Sequence, residues 1–108
     1  MRNTILMIGA FDTKVDEYAF LKKRIEKQDC HVLAMNTGVL GAGDRFPIDI
    51  AAEVVAAAGG ADLEELRQQG DRGAAMKVMA AGAAELAVQL YRRGRFEGVV
   101  GMGGSGGT

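Results

Sequence analysis

A glycine-rich segment, residues 101–107, constrains the fold of this chain more than any other feature. Five of its seven residues are glycine. Each glycine costs conformational entropy on folding, so packing alone does not account for this density. Glycine allows positive φ and leaves backbone N–H groups uncovered, so that successive N–H groups can converge on an anion. Because an apolar run at 98–102 leads into it, the segment is typical of a phosphate-binding loop that follows a buried strand.

The segment fits one nucleotide-binding pattern and nearly fits another. Residues 101–106 match G-x-G-x-x-G, the dinucleotide pattern. Gly101, Gly106 and Thr108 also have the spacing of a P-loop, but Gly107 stands where that motif requires lysine. The acidic ribose partner of the dinucleotide pattern should come about 20 residues later, past the last residue of this sequence. The sequence therefore predicts phosphate binding without identifying the nucleotide, and a flexible glycine tail is the alternative.

Composition narrows the class of protein. A length of 108 residues suits one domain, and a formal net charge of −1 argues against nucleic acid or an anionic membrane as a partner. Cys30 is the single cysteine, which fits a reducing compartment, and we expect it to be a small buried residue at the start of a strand. No leader pattern and no long apolar run is present, so we expect a cytoplasmic protein. His31 has no neighbouring metal-ligand cluster, and no metal-ligating residue is predicted.

The periodicity of apolar residues predicts alternating strands and helices. Short apolar runs predict strands at 4–10, 31–37 and 98–102, and helical stripes predict helices at 14–28, 50–58, 63–69 and 71–93. Thr13 with Asp16 has the spacing of a capping box, while Asp49, Asp62 and Asp71 precede the other three helices. The expected buried stripes are Val15, Tyr18, Leu21 and Ile25 in the first helix, and Met76, Met79, Ala83, Leu86 and Leu90 in the last. Gly82 should let the last helix approach a neighbour closely.

This order of elements predicts an α/β fold: a Rossmann-like or flavodoxin-like three-layer sandwich with a parallel sheet, truncated after the third strand. In the flavodoxin-like strand order 2-1-3 the two crossovers run in opposite directions along the sheet, so right-handed connections place helices 14–28 and 71–93 on opposite faces. The first and third strands then flank the topological switch point, where such folds bind ligands. Asp12, Thr13 and Lys14 follow one of these strands, and the glycine segment follows the other.

These two segments form the candidate site. Backbone N–H groups of the segment would hold phosphate, Ser105 and Thr108 would add hydroxyls, and Thr13 would add a donor. Lys14 would supply the missing cation, and Asp12 would hold a hydroxyl or a water on Mg²⁺. The full predicted set is Asp12, Thr13, Lys14, Gly103, Gly104, Ser105, Gly106, Gly107 and Thr108. The alternative is that Asp12 and Thr13 only cap a helix and Lys14 is solvated. No nucleophile or general base stands out, so hydrolysis is not predicted and enzymatic activity is left open.

Four segments carry a family resemblance, and they occur in the same order here: Gly9-Ala10-Phe11-Asp12-Thr13-Lys14, Phe46-Pro47-Ile48-Asp49-Ile50, the helix at 73–82, and the glycine segment. Together they resemble the N-terminal part of the ATP-binding family named after the tomato mosaic virus resistance protein, whose bacterial members form an uncharacterised protein family. Phe11 replaces the family's usual small residue. The resemblance implies an ATP-binding, dimeric, two-domain protein, of which residues 1–108 would be the N-terminal Rossmann-like domain.

Two other functions fit the residues. The crevice could bind a small phosphorylated or carboxylate substrate instead of a nucleotide. Alternatively, the chain could be an interaction module in which helix 71–93, rich in alanine and methionine, mediates homo-oligomerisation.

Overall fold

The computed structural model describes residues 3–11, 15–38 and 47–101. Every predicted strand and helix is present, with bounds within two residues of the predicted ones. In chain order the elements are β1 (Asn3–Gly9), α1 (Val15–Glu26), β2 (Cys30–Asn36), α2 (Ala52–Ala58), α3 (Leu63–Gln69), α4 (Arg72–Arg92) and β3 (Gly98–Val100). None of the described helices is both long and apolar enough to span a membrane.

The three strands form a parallel sheet in the order β2-β1-β3. β1 pairs with β2 along its whole length, from Asn3 opposite Cys30 to Gly9 opposite Asn36. On its other side β1 pairs with β3, and Met7 lies opposite Val100. The predicted strand order and the parallel arrangement are therefore confirmed.

Side chains of alternate residues in the strands enter two separate hydrophobic clusters. Leu6, Leu33 and Met35 pack with buried residues of α2, α3 and α4. Met7 packs on the opposite face with Phe11 and with buried residues of α1 and β2. Because successive residues of a strand point to opposite faces, α1 and α4 cover opposite sides of the sheet, as predicted. The architecture is a Rossmann-like three-layer sandwich.

The two long helices bury the predicted stripes with one exception. Val15 and Tyr18 of α1 are buried, as are Met79 and Ala83 of α4, while Leu21, Ile25, Leu86 and Leu90 are partly buried. The prediction for Met76 was wrong, because its side chain is 41% exposed and Ala75 is buried instead. At about 100° per residue, Ala75 lies closer than Met76 to the line through Met79 and Leu86.

The predicted helix caps are confirmed for α3 and α4 and wrong for α2. Asp62 accepts hydrogen bonds from Glu64 N and Glu65 N, and Asp71 accepts one from Ala74 N. Asp49 does not cap α2, which begins at Ala52 without a side-chain cap. Its carboxylate Oδ2 instead accepts a hydrogen bond from Ala34 N at 2.7 Å, so Asp49 ties its segment to β2.

α2 and α4 pack closely because Gly82 has no side chain. A Cβ at Gly82 would overlap the carbonyl oxygen of Val55, and one at Gly59 would overlap the carbonyl oxygen of Val78. Both contacts involve backbone atoms, which cannot move aside as the end of a flexible side chain can. The predicted close approach of the last helix is therefore confirmed, and its neighbour is α2.

Candidate functional site

The carboxyl ends of all three strands lie at one edge of the sheet because the strands are parallel. We call this the carboxyl edge and define it by Gly9–Phe11 after β1, Asn36–Gly38 after β2, and Gly101 after β3. From β1 the chain crosses to β2 on one side of it and then returns to β3 on the other side. The two crossovers therefore run in opposite directions along the sheet. The topological switch point therefore lies between the ends of β1 and β3.

Asn36 is the polar residue that joins two of these strand ends. It is only 3% exposed. Its Oδ1 accepts hydrogen bonds from Phe11 N at 3.2 Å and from Gly38 N at 2.9 Å. A backbone bond from Thr37 N to Gly9 O, at 2.8 Å, reinforces the same junction. The start of the loop after β1 is therefore held against the loop after β2 by one buried side chain.

An aromatic pair holds α1 against the same edge. The rings of Phe11 and Tyr18 meet edge to face with their centroids 4.9 Å apart. The Tyr18 hydroxyl donates to Ile8 O at 3.1 Å, which carries the ring across the end of β1. A Cβ at Gly9 would overlap the Tyr18 ring, so glycine is required there for close packing. Phe11 is fully buried and belongs to the core.

The end of β3 also lies close to β1. A Cβ at Gly101 would lie 3.2 Å from the carbonyl oxygen of Ile8, which is tighter than nine in ten real Cβ contacts. A side chain at the first glycine of the G-x-G-x-x-G pattern would therefore press on the central strand, which would have to shift by a few tenths of an ångström. This is a structural reason for Gly101 that does not depend on a ligand.

All nine predicted site residues lie outside the described residues: Asp12, Thr13 and Lys14 between Phe11 and Val15, and Gly103, Gly104, Ser105, Gly106, Gly107 and Thr108 after Gly101. Their described neighbours Phe11 and Gly101 follow adjacent strands, β1 and β3. The predicted roles of the nine residues stay predictions. Among described residues, the structure adds Gly9 and Asn36 to the carboxyl edge. Sequence reasoning missed both, although an asparagine at the end of an apolar run is a signal for a buried polar residue.

Cys30 and His31 lie at the opposite, amino edge of the sheet, where β2 begins. Cys30 is half-buried rather than buried, so that prediction was wrong; as the first residue of the strand it is only partly covered. His31 is exposed. Within the described part of the chain, no group of three or more His, Cys, Asp or Glu side chains is placed to hold a metal ion.

The fold and the position of its switch point define the chain as a Rossmann-like α/β domain. Residues 3–108 match the family model described as the N-terminal domain of the uncharacterised protein family UPF0261, and the chain belongs to that family. No solved structure matches the chain.

Three relatives illustrate the family. A UPF0261 protein of Clostridium tetani is 37% identical over 108 residues, which cover 100% of this chain and 26% of the relative. UPF0261 proteins of Brucella suis and Mesorhizobium japonicum are 36% and 32% identical over 104 residues, covering 96% of this chain and 25% of each relative. The chain thus spans about a quarter of the length of the curated relatives it matches.

Proposed function

We propose that this chain is a nucleotide-binding domain that holds the phosphates of ATP at the carboxyl edge of its sheet. The observation that carries the proposal is the strand order β2-β1-β3. In open α/β sheets, ligands bind outside the carboxyl ends of the strands at the point where the strand order reverses. The two segments that the sequence singles out, residues 12–14 and 103–107, follow the two strands that flank this point.

The described carboxyl edge supports this proposal in two ways. The hydrogen bonds that Asn36 Oδ1 accepts from Phe11 N and Gly38 N fix the backbone at Phe11, directly before Asp12. The residues that follow therefore start from a defined position. The pairing of Val100 with Met7 places Gly101, from which the glycine segment continues, beside the end of β1. A binding site whose flanking backbone is fixed before the ligand arrives loses less entropy on binding.

In the proposed site the glycine segment supplies backbone N–H groups to the phosphates. Ser105 and Thr108 add hydroxyl donors. Lys14 balances the negative charge of the phosphates, which Gly107, although it stands at the P-loop lysine position, cannot do. Thr13 adds a further donor. Asp12 is a hard oxygen ligand of the kind that holds water on a phosphate-bound Mg²⁺. The proposal includes binding and no hydrolysis.

ATP is the proposed nucleotide because of the resemblance to the family named after the tomato mosaic virus resistance protein. That resemblance rests on the Asp-Thr-Lys turn and the glycine segment, which are the same residues that the proposed site uses. The relatives above are themselves described only as uncharacterised, so they add no ligand.

Calorimetric titration with Mg-ATP tests the proposal. Two proteins are compared: the 108-residue chain, and a fusion in which residues 1–108 are followed by the part of the Clostridium tetani relative that lies beyond its matched region. We expect saturable binding that Gly106→Val abolishes, because a β-branched residue does not readily adopt positive φ and its side chain would cover N–H groups.

Gly94→Val is the matched control for this titration. Gly94 has φ +68, so valine there imposes similar backbone strain, but it precedes β3 and so lies toward the amino edge. We expect this variant to bind as the unaltered chain does. Binding by neither protein, or equal loss of affinity in Gly94→Val and Gly106→Val, would contradict the proposal.

A further inference from the structure

An apolar stripe runs along the exposed side of α4, and within the described residues it is covered only in part, at its end, where the ring of Phe96 lies against that of Tyr91 with the centroids 5.9 Å apart. Met76, Ala80, Ala84 and Val88 recur every four residues, and Tyr91 follows three residues later, so all five lie along one side of the helix. All are exposed; Val88 is 47% and Tyr91 67% exposed. From Met76 to Tyr91 the stripe is about 22 Å long at the helical rise of about 1.5 Å per residue.

The stripe lies on the side of α4 that faces away from α2. Among the α4 residues that face α2 are Val78, whose backbone lies against Gly59 at the end of α2, and Gly82, which lies against the backbone of Val55. At about 100° per residue, the centre of the stripe is on the far side of the helix from these two residues. α2 packs on β2, at one end of the sheet, so the stripe faces toward the other end, beyond β3.

β3 continues this apolar surface at the free edge of the sheet. Val99 lies opposite Leu6 in the parallel register, and Leu6 packs in the cluster under α4. Val99 therefore points to the α4 face of the sheet, yet it is 60% exposed. Val100, which points to the other face, packs against the α1 cluster. Among the described strands, β3 pairs only with β1.

Handedness indicates which face an added helix would cover. The step from β1 to β2 runs in one direction across the sheet and places α1 on one face. The step from β2 to β3 runs in the opposite direction and places α4 on the other face. A fourth strand paired with β3 would continue in the direction from β2 to β3, so a right-handed crossover would put its helix on the α4 face, beside the stripe.

We propose that the stripe of α4 and the side chain of Val99 form a docking surface for a helix–strand unit of the same polypeptide, whose strand extends the sheet beside β3. The relatives support this occupant, because the chain matches the model of the family's N-terminal domain and spans only about a quarter of the length of the relatives. Ala80 and Ala84 give the stripe small side chains at its centre, which allow close helix packing, with larger side chains at both ends. The proposal does not depend on nucleotide binding.

Hydroxyl-radical footprinting tests this surface without any substitution. The 108-residue chain and the Clostridium tetani fusion are oxidised side by side at low protein concentration, and oxidation of Met76 and Tyr91 is measured by mass spectrometry. We expect both side chains to be oxidised several-fold more slowly in the fusion. Phe20, which is 66% exposed on α1 at the opposite face, is the internal control and should be oxidised equally in both proteins.

A pair of substitutions gives a second measurement. Val88→Glu should lower the unfolding midpoint of the fusion and leave that of the 108-residue chain unchanged. Val54→Glu introduces the same charge at a similarly exposed position of α2 and should leave both midpoints unchanged. If the fusion does not fold, the Clostridium tetani relative, whole and cut after its matched region, gives the same footprinting comparison at the aligned helix.

Two results would overturn the proposal. Equal oxidation of Met76 and Tyr91 in both proteins, with Val88→Glu neutral in both, would mean that the stripe is ordinary solvent-exposed surface. Protection that is already present in the 108-residue chain and grows with its concentration would assign the stripe to a second copy of this chain.

Discussion

The side-chain amide of Asn36 accepts hydrogen bonds from two loops that are far apart in sequence. One donor, Phe11 N, lies 25 residues earlier, and the other, Gly38 N, lies two residues later. Both bonds are buried. A buried N–H that loses its acceptor costs more free energy than an exposed one, because water does not replace the bond. Two buried hydrogen bonds of the carboxyl edge therefore depend on one side-chain oxygen.

Replacement of Asn36 by leucine should destabilise the fold by about 2–4 kcal/mol, because two buried N–H groups lose their acceptor while the number and branching of the side-chain heavy atoms are kept. Asn3→Leu is the matched control: Asn3 is exposed at the start of β1, and the change there should stay within about 0.5 kcal/mol. Urea unfolding measures both. Equal effects of the two substitutions would mean that the Asn36 bonds contribute nothing to stability.

At the scale of elements, the contact between α2 and α4 depends on the absence of one Cβ. Gly82 lies in the interior of α4, where glycine is unfavourable for helix formation by about 1 kcal/mol relative to alanine. Glycine is required there because the α2 backbone at Val55 occupies the space that a side chain would need. Packing between the two helices therefore outweighs helix propensity at this position.

Two alanine substitutions in the same helix should have opposite signs. Gly82→Ala should destabilise the chain by about 1–3 kcal/mol, because α2 and α4 must separate to admit the methyl group. Gly73→Ala should stabilise it by up to about 1 kcal/mol, because the nearest atom to the new Cβ, Asp71 Oδ1, is 3.6 Å away and only helix propensity changes. Denaturant unfolding compares them. A stabilising Gly82→Ala would contradict the close packing of the helices.

Most elements could be predicted because local signals determined them. Apolar runs located the strands, and Asp62 and Asp71 located two helix starts through hydrogen bonds to their own helices. Asp49 misled the prediction because its partner, Ala34 N, is 15 residues away and is brought near only by the fold. A helix cap can be predicted when its hydrogen-bond partner is close in sequence, whereas the partner of Asp49 is distant in sequence.

At the scale of the whole molecule, the strand order followed from the flavodoxin-like order expected of alternating strands and helices, and the handedness of the crossovers then placed the two long helices on opposite faces. That order also located the switch point, which is the basis of the candidate site. The parts that could not be predicted are tertiary contacts. Nothing in the local sequence of Asn36 identifies Phe11 N as its partner, and nothing near Gly9 shows that the Tyr18 ring covers it.

The wrong prediction for Met76 has the same cause, because which side of α4 packs on the sheet is decided by tertiary contacts. Met76 was expected in the buried stripe because its spacing to Met79 suits a helical face, but α4 carries two apolar sides and Met76 belongs to the exposed one. The spacing of apolar residues in one sequence does not distinguish a side of a helix that packs on the sheet from an apolar side that is exposed. A chain that spans about a quarter of its relatives' length is consistent with such a second side.

The most direct test of a nucleotide site at the carboxyl edge is an amide NMR titration of the 108-residue chain with Mg-ATP, which detects even millimolar affinity. The account predicts that the largest shifts occur at the amides of residues 103–107, which would hold the phosphates, with smaller shifts at their described neighbours Phe11 and Gly101 at the carboxyl edge. The amides of His31 and Glu97, at or next to the amino ends of their strands, should not move. Shifts concentrated at those amino-edge residues, or no saturable shifts either in this chain or in the Clostridium tetani fusion, would contradict it.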